Sequence, residues 1–242
     1  MKAMQNNSPL LLNAESPAGV PVCIFVKPFV AGQVKTRLIP SLGAEGAAEL
    51  AQAMFQDTQA TVRTVPWARE IVASTAPLPE PLVGNSKVWL QGEGNLGVRL
   101  ERILRRALAH SEMAIAIGAD SPGLPLRVLE QARNRLQSAD AVFGPCEDGG
   151  YYLVGLRRCP PGLFNGIAWS QQDTLLQAAA RFRKLGLRVS LLERWFDVDT
   201  ADALDRLRAR LASGQIGAPH TAEALHRLGI PNVGDVQEAQ AR

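Results

Sequence analysis

Short apolar runs alternate with longer amphipathic segments along most of the chain. The apolar runs predict β-strands at residues 20–27, 70–74, 87–90, 113–117, 140–145, 151–156 and 188–192. The longer segments are rich in Ala, Leu, Glu and Gln or carry apolar residues at i, i+3 and i+4 spacing. They predict helices at residues 43–65, 96–110, 125–136, 173–185 and 221–228, and one that runs from the turn at 197–200 to residue 211. Loops are predicted at 28–37, 77–81 and 162–170.

Strands that alternate with helices of this length imply crossover connections, and therefore a mostly parallel sheet. Residues 151–156 follow the preceding strand too closely for a helical crossover, so we expect an antiparallel or bent strand there. The predicted fold class is three-layer α/β/α with a mostly parallel, mixed sheet. No repeat or long linker divides the chain. We therefore expect a disordered leader over residues 1–19, a single domain over 20–212 and a C-terminal tail over 213–242.

Composition narrows the class of protein without indicating a chemistry. Lys and Arg total 26 against 23 for Asp and Glu, an excess too small to indicate nucleic-acid binding through bulk charge. The three cysteines lack metal-ligand spacing and are typical of reduced thiols. The apolar run at residues 9–12 is too short for a signal segment or a membrane span. We expect a cytoplasmic protein without nucleic-acid or membrane partners, and a homodimer stays open.

The chemistry is predicted to centre on Asp120. The uncharged run 113–117 is typical of a buried central strand, and the sequence then changes to Gly118-Ala119-Asp120-Ser121-Pro122-Gly123-Leu124. A carboxylate at the carboxyl end of such a strand lies where open α/β sheets bind ligands. The alternative is that Asp120 only caps the following helix.

A basic loop follows the first predicted strand. Lys27, Lys35 and Arg37 supply three cations, and Gly32 allows the backbone to approach a ligand closely. Such a loop can hold phosphates through its N–H groups and its cationic side chains. It matches neither the Walker A pattern nor Gly-x-Gly-x-x-Gly, and the alternative is an exposed basic loop without a ligand.

Two acidic loops follow later strands. Asp148 precedes the turn residues Gly149 and Gly150 and is a candidate general base, or else part of an acidic hairpin turn. Asp197 and Asp199 precede Thr200, where Asp199 or Thr200 could simply cap a helix. Brought together with Asp120, one of these aspartates would supply the hard oxygen ligands that Mg²⁺ or Mn²⁺ requires. Trp169, in a polar loop, is either a packing residue or a wall of a ligand pocket.

Several motifs resemble those of a bacterial family of glycosyltransferase-A-fold proteins that are assigned as glycosyltransferases, some of them tied to arsenosugar biosynthesis. The basic loop matches at Phe25, Lys27, Gly32, Val34, Lys35, Thr36, Arg37 and Leu38. The motif Gly-Thr-Asp-x-Pro-x-Leu is met at 118–124 with Ala119 in place of Thr, and Ala31 replaces a proline. Gly-Pro-x-x-Asp-Gly-Gly-Tyr-Tyr-Leu is intact at 144–153, as is Asp-Val-Asp-Thr at 197–200. Leu-Gly-x-Arg-Leu is present at 96–100, although Asn95 replaces an acid.

This resemblance implies the fold of the nucleotide-diphospho-sugar transferases and a role for each motif. Phosphates would bind Lys27, Lys35 and Arg37, and the metal would bind Asp120 and Asp199, with Asp197 as a further ligand. By analogy of position, the base would lie near Gln91, Asn95 and Arg99. The acceptor would face Asp148, Gly149, Gly150, Tyr151 and Trp169.

Two transferase reactions fit these residues. The leading hypothesis is glycosyl transfer from a nucleotide-sugar to a small-molecule acceptor, with the metal and basic loop stabilising the departing diphosphate. Asp148 is the expected base if the reaction inverts the anomeric centre. The alternative is nucleotidyl transfer from an NTP to a phosphorylated small molecule, as in the molybdenum-cofactor and phospholactate nucleotidyltransferases that share the fold. A third possibility is a nucleotide-binding regulatory module without turnover, which intact Asp120, Asp148 and Asp199 disfavour.

Overall fold

The structure, a computed structural model, describes residues 19–230. Its strands are β1 (Val20–Val26), β2 (Ala68–Ser74), β3 (Lys87–Leu90), β4 (Ala114–Gly118), β5 (Ala141–Pro145), β6 (Tyr151–Leu156) and β7 (Val189–Leu191). Its helices are α1 (Ile39–Arg63), α2 (Glu80–Val83), α3 (Leu96–Leu108), α4 (Leu126–Leu136), α5 (Thr174–Lys184), α6 (Ala201–Ala212) and α7 (Pro219–Arg227). A 3₁₀ turn, Thr36–Leu38, precedes α1.

The seven strands of the described residues form one mixed sheet in the order β3-β2-β1-β4-β6-β5-β7. The pairs β1–β2, β1–β4, β2–β3 and β5–β7 are parallel, whereas β6 pairs antiparallel with both β4 and β5. The antiparallel strand is the one predicted from its short connection, because five residues between β5 and β6 leave no room for a crossover helix.

Two apolar layers cover the two faces of the sheet. Val22, Ile24 and Val26 of β1 face one layer, which includes α1 and α4, while Cys23 faces the other, which includes α3 and α5. This alternation follows from the period of two in a strand. The predicted three-layer α/β/α class is therefore confirmed. A third apolar cluster joins the outer side of α1 to α6 and α7.

Most predicted elements occur within a few residues of their expected bounds, with two corrections. Helix α1 begins at Ile39, before the predicted residue 43, and has a kink at Gly43 where φ is 71°. The loop predicted at 77–81 instead runs into the short helix α2, which Pro79 precedes. Proline is tolerated at the start of a helix because its missing N–H has no partner there anyway.

The predicted domain limits are described only in part. Residues 1–18 of the leader and 231–242 of the tail lie outside the described residues. Within the described part of the tail, α7 is held against α1 by buried Asp57, which accepts hydrogen bonds from the N–H groups of His220 and Thr221 at 3.0 and 2.8 Å. Among the helices of residues 19–230, none has the length and apolar composition needed to cross a bilayer.

Candidate active site at the carboxyl ends of the strands

The predicted site residues gather at one edge of the sheet. The chain runs from β1 outward to β2 and β3 and then returns to β4 on the other side of β1, which makes the β1–β4 pair a topological switch point. Open α/β sheets bind ligands beside the carboxyl ends of strands at such a point. A cavity of about 710 Å³ lies there and is lined by residues from the loops after β1, β3 and β4 and by Asp199.

Lys35 and two aspartates form the centre of this edge, which we call the lysine cluster (Lys35, Asp120 and Asp199). The Nζ atom of Lys35 lies 2.7 Å from Oδ1 of Asp120 and 2.5 Å from Oδ1 of Asp199. The lysine side chain is only 5% exposed, whereas the aspartate side chains are 53% and 45% exposed. Burial by itself lowers the pKa of Lys35, but the two carboxylates outweigh it, so the pKa is raised. The ammonium is therefore held in its charged form.

Backbone contacts explain why residues so distant in sequence meet here. The segment after β7 continues along β5, where the Trp195 N–H donates to the Pro145 carbonyl at 3.0 Å. The Val198 N–H then donates to the Asp120 carbonyl at 3.0 Å. Thr200 caps α6 through its hydroxyl oxygen. Because Thr200 is the cap, the carboxylate of Asp199 is free to face Lys35.

Asp120 does not cap the following helix, which was the alternative interpretation of this residue. The N-cap position of α4 is Pro125, and no side chain supplies a capping hydrogen bond there. The carboxylate of Asp120 points instead to Lys35.

A second acidic group lies close by, and we call it the thiol cluster (Cys146, Asp148 and Asp197). One ligand atom from each of the three residues lies within 4.8 Å of the others. Burial, followed by the charges of Asp148 and Asp199, raises the pKa of Asp197 to about 6. Burial also raises the pKa of the Cys146 thiol, with all four aspartates adding to the effect. The sequence patterns assigned no role to Cys146, although it directly follows the predicted strand at residues 140–145.

The predicted metal ligands are thus divided between the two clusters. Asp120 and Asp199 each present a carboxylate oxygen to one shared cation, Lys35, and both keep about half of their surface open. Carboxylate oxygens are the type of ligand that Mg²⁺ or Mn²⁺ prefers. Asp197 belongs to the thiol cluster instead. Asp148 accepts a hydrogen bond from the Gly150 N–H at 2.8 Å, which orders the turn before β6.

The predicted phosphate-binding loop contributes several residues to the cavity lining. Lys27 and Arg37 are exposed and line the cavity together with Lys35. Gly32 has φ of 78°, and the space where a Cβ atom would lie is open. Lys35 itself has left-handed backbone angles, with φ of 47° and ψ of 41°, directly before the 3₁₀ turn.

The predicted base-binding residues are connected to one another. Gln91 is buried, and its amide donates to the carbonyls of Val26 and Ala73 at 3.2 and 2.7 Å while accepting from Arg99 at 3.2 Å. Its side chain therefore also helps to hold Arg99 in place. Asn95 caps α3 by accepting from the Val98 N–H at 3.1 Å. All three predicted residues line the cavity.

The predicted acceptor side has an aromatic wall. Tyr151 and Trp169 pack edge to face with ring centroids 6.2 Å apart, and both line the cavity. The Tyr151 hydroxyl and the Trp169 Nε1 are buried without a hydrogen-bond partner among the described residues. Ser170 also lines the cavity and has φ of 59°, which its residue type gave no reason to predict. Gly149 packs against Gln172, where a Cβ atom would lie 1.8 Å from the carbonyl oxygen.

The fold matches nucleotide-diphospho-sugar transferase-like structures. A crystal structure from Desulfovibrio desulfuricans G20, described as a "putative nucleotide-diphospho-sugar transferase", matches with a TM-score of 0.76 and 28% identity over 86% of this chain and 96% of that one. A cytidylyltransferase from Leptospira borgpetersenii matches with a TM-score of 0.55 and 9% identity over 90% of this chain and 98% of that one. The second likeness shows the fold alone.

Family membership follows from the sequence comparison. The family model described as "Uncharacterized protein conserved in bacteria (DUF2064)" matches residues 49–171, about half of the chain, and the protein belongs to this family. A phosphoenolpyruvate guanylyltransferase from Conexibacter woesei is 29% identical over 206 residues, which cover 80% of this chain and 90% of the relative.

Proposed function

We propose that this protein is a divalent-metal-dependent nucleotidyltransferase that joins the nucleotide of an NTP to a phosphorylated small molecule and releases pyrophosphate. The motifs alone favoured glycosyl transfer from a nucleotide-sugar. The guanylyltransferase relative, similar over most of both chains, supports nucleotidyl transfer at least as well.

The observation that carries the proposal is the charge of the cavity wall. Its cationic residues are Lys27, Lys35, Arg37 and Arg99, against the two carboxylates of Asp120 and Asp199. A cationic wall attracts phosphates in proportion to their charge, and a triphosphate carries more negative charge than the diphosphate of a nucleotide-sugar. An excess of cations beside a carboxylate pair therefore favours an NTP with a divalent ion.

The proposed reaction assigns a task to each part of the site. An oxygen of the acceptor phosphate attacks the α-phosphorus, the bond from the α-phosphorus to the bridging oxygen breaks, and pyrophosphate leaves with the electron pair. Lys27 and Arg37 stabilise the charge that develops on the pyrophosphate. Asp120 and Asp199 hold the metal, which neutralises phosphate charge when bound. Arg99, positioned by Gln91, contacts the nucleotide.

The acceptor is expected beside Tyr151, Trp169 and Ser170. A phosphate acceptor is already anionic, so the reaction requires no base to remove a proton from it. Asp148 is then a residue of the turn before β6 and of the thiol cluster rather than the general base. The acceptor of the guanylyltransferase relative, phosphoenolpyruvate, is the first compound to test.

Glycosyl transfer is the second candidate, and the Desulfovibrio structure supports it. In that reaction the acceptor is a hydroxyl group, and Asp148 is needed as its base. The link to arsenosugar biosynthesis that the motifs suggest stays a prediction, as do the cytoplasmic location and a homodimer.

Product analysis tests the proposal. The protein is incubated with Mg²⁺, each of the four NTPs and phosphorylated acceptors including phosphoenolpyruvate and phospholactate, and ³¹P NMR follows the products. We expect the signals of a new diphosphate linkage between the acceptor and the nucleoside, and of free pyrophosphate, in equal amounts. Consumption of a nucleotide-sugar, with every NTP inert, would replace the proposal with glycosyl transfer.

A further inference from the structure

The ammonium of Lys35 lies where the proposed metal would be expected to bridge the two carboxylates. Both contacts of Nζ are to the Oδ1 atoms of Asp120 and Asp199, and the lysine side chain is almost fully buried between them. Mg²⁺ binds oxygen at roughly 2.0–2.1 Å. An ion bridging the same two oxygens would lie only a few ångströms from Nζ, at a distance where two cations repel strongly.

The net charge of the lysine cluster also disfavours a divalent ion in the absence of a nucleotide. Two carboxylates and one ammonium leave a single net negative charge, which attracts a divalent ion weakly. Mg²⁺ in proteins is typically held by one or two carboxylates together with substrate phosphates, because it keeps its water shell until strong anionic ligands are available. The phosphates of a nucleotide would supply both the missing ligands and a new partner for the lysine.

The phosphates are proposed to bind in the cavity that Lys35 also lines. Lys35 lines the same cavity as Lys27 and Arg37, which face the expected position of the phosphates. A lysine side chain has a flexible four-carbon stem and a point charge that can exchange one oxygen partner for another. The move from carboxylate to phosphate keeps the ammonium paired in both states.

We propose that Lys35 makes metal binding depend on the nucleotide, because its ammonium occupies the space between Asp120 and Asp199 in the free protein and transfers to the phosphates when nucleotide and metal bind together. The inference rests on the proposed function only for the identity of the nucleotide. It assigns Lys35 two successive partners, and it explains why a cation-binding carboxylate pair contains a buried ammonium. Metal and nucleotide must then raise each other's affinity by the same factor.

The test measures Mn²⁺ binding to the free protein by electron paramagnetic resonance, without any nucleotide. Lys35→Met removes the ammonium and keeps the apolar stem, and Lys27→Met is the matched control that removes an equal charge from the same cavity. We expect Lys35→Met to bind Mn²⁺ at least tenfold more tightly than the wild type. Lys27→Met is expected to stay within about threefold, since an exposed charge acts only through screened solvent.

Equal or weaker Mn²⁺ binding by a folded Lys35→Met variant would overturn the proposal, as would a lack of Mn²⁺ binding by both proteins. Neither result bears on nucleotidyl transfer, which the product analysis tests separately. A protein that transfers no nucleotide could still show the Lys35 effect.

A second measurement uses the wild type and does not depend on the variant folding. Lysines are acylated with a small reagent, and peptide mass spectrometry reports the labelling of Lys35, with exposed Lys27 as the internal reference. We expect Lys35 to be protected in the free protein and labelled several-fold faster at saturating Mn²⁺. Protection that persists while Mn²⁺ is bound would show that the ammonium stays between the carboxylates, which would overturn the proposal.

Discussion

The lysine cluster and the thiol cluster lie at the same edge of the sheet, and each contains two aspartates. The two clusters differ in what compensates the negative charge of these aspartates. In the lysine cluster a buried ammonium contacts both carboxylates. In the thiol cluster the third member is a buried thiol, and the neighbouring carboxylates of Asp148 and Asp199 raise the pKa of Asp197 more than the charge of Lys35 lowers it. The first pair faces a cation, whereas burial and repulsion raise the pKa of Asp197 to about 6.

The largest expected effect comes from removing one carboxylate of the lysine cluster. Asp120→Asn keeps the size of the side chain but removes a metal ligand and one partner of Lys35. We expect turnover to fall by about a thousandfold, a loss in the range seen when an electrostatic contributor is removed. Steady-state kinetics of pyrophosphate release measure it, and a loss below tenfold would remove Asp120 from the proposed metal site.

A stability test compares two glycines with positive φ, Gly149 before β6 and Gly32 after β1. Gly149→Ala is expected to lower the free energy of unfolding by about 2–4 kcal/mol, because φ is 89° and the new Cβ would meet the backbone of Gln172. Gly32→Ala is the matched control, with a similar positive φ but open space around it, and should cost about 1 kcal/mol. Urea denaturation measures the free energy of unfolding of both variants. Equal losses in the two variants would contradict the tight packing of Gly149.

The same substitution at Asp197 and at Asp199 is expected to change stability in opposite directions. The pKa of Asp197 is raised in the folded state to about 6 from an ordinary value of 3.8, so ionisation destabilises the fold as the pH rises between these values. Asp197→Asn should therefore raise stability above pH 6 by about 1 kcal/mol, since partial exposure weakens the effect, and should do little below pH 4. Asp199→Asn removes a partner of Lys35 and should lower stability at pH 7.

Denaturation of both variants at pH 4 and pH 8 checks this pair of predictions. A loss of stability in Asp197→Asn at pH 8 would show that its carboxylate is held by an attraction rather than strained by repulsion. That result would remove the distinction between the two clusters.

The smallest expected effect concerns Asp148, and it separates the two candidate reactions. Asp148→Asn keeps the oxygen that accepts from the Gly150 N–H, so the turn is retained. We expect nucleotidyl transfer to a phosphate acceptor to change by less than about fivefold, because no base is required. A loss of a hundredfold or more in pyrophosphate release would assign Asp148 to catalysis.

The sequence alone was enough to predict the fold and the edge of the sheet that carries the site. Apolar runs gave the strands, and their spacing from helical segments gave parallel pairing with β6 as the exception. Because the carboxyl ends of parallel strands meet at one edge, Lys35, Asp120 and Asp199 could be expected near one another.

The sequence could not predict how the acids are divided between the two clusters. The hydrogen bond between Lys35 and Asp199 joins residues 164 positions apart, and no local pattern encodes which carboxylate faces which loop. For the same reason the sequence did not reveal that the amide of Gln91 bonds two backbone carbonyls and Arg99. The kink at Gly43 was also missed, because a glycine within a helical segment does not reveal its φ.

Asp120 and Asp199 are proposed to form the place where a divalent ion and an NTP meet. A thermal-shift measurement of the wild type and Asp120→Asn, with each NTP in Mn²⁺ or in EDTA, tests it most directly, since a ligand that binds the native state raises the unfolding midpoint. We expect at least one NTP with Mn²⁺ to raise the unfolding midpoint of the wild type. This rise should disappear in EDTA and in Asp120→Asn. Equal stabilisation in EDTA, or in the variant, would contradict it.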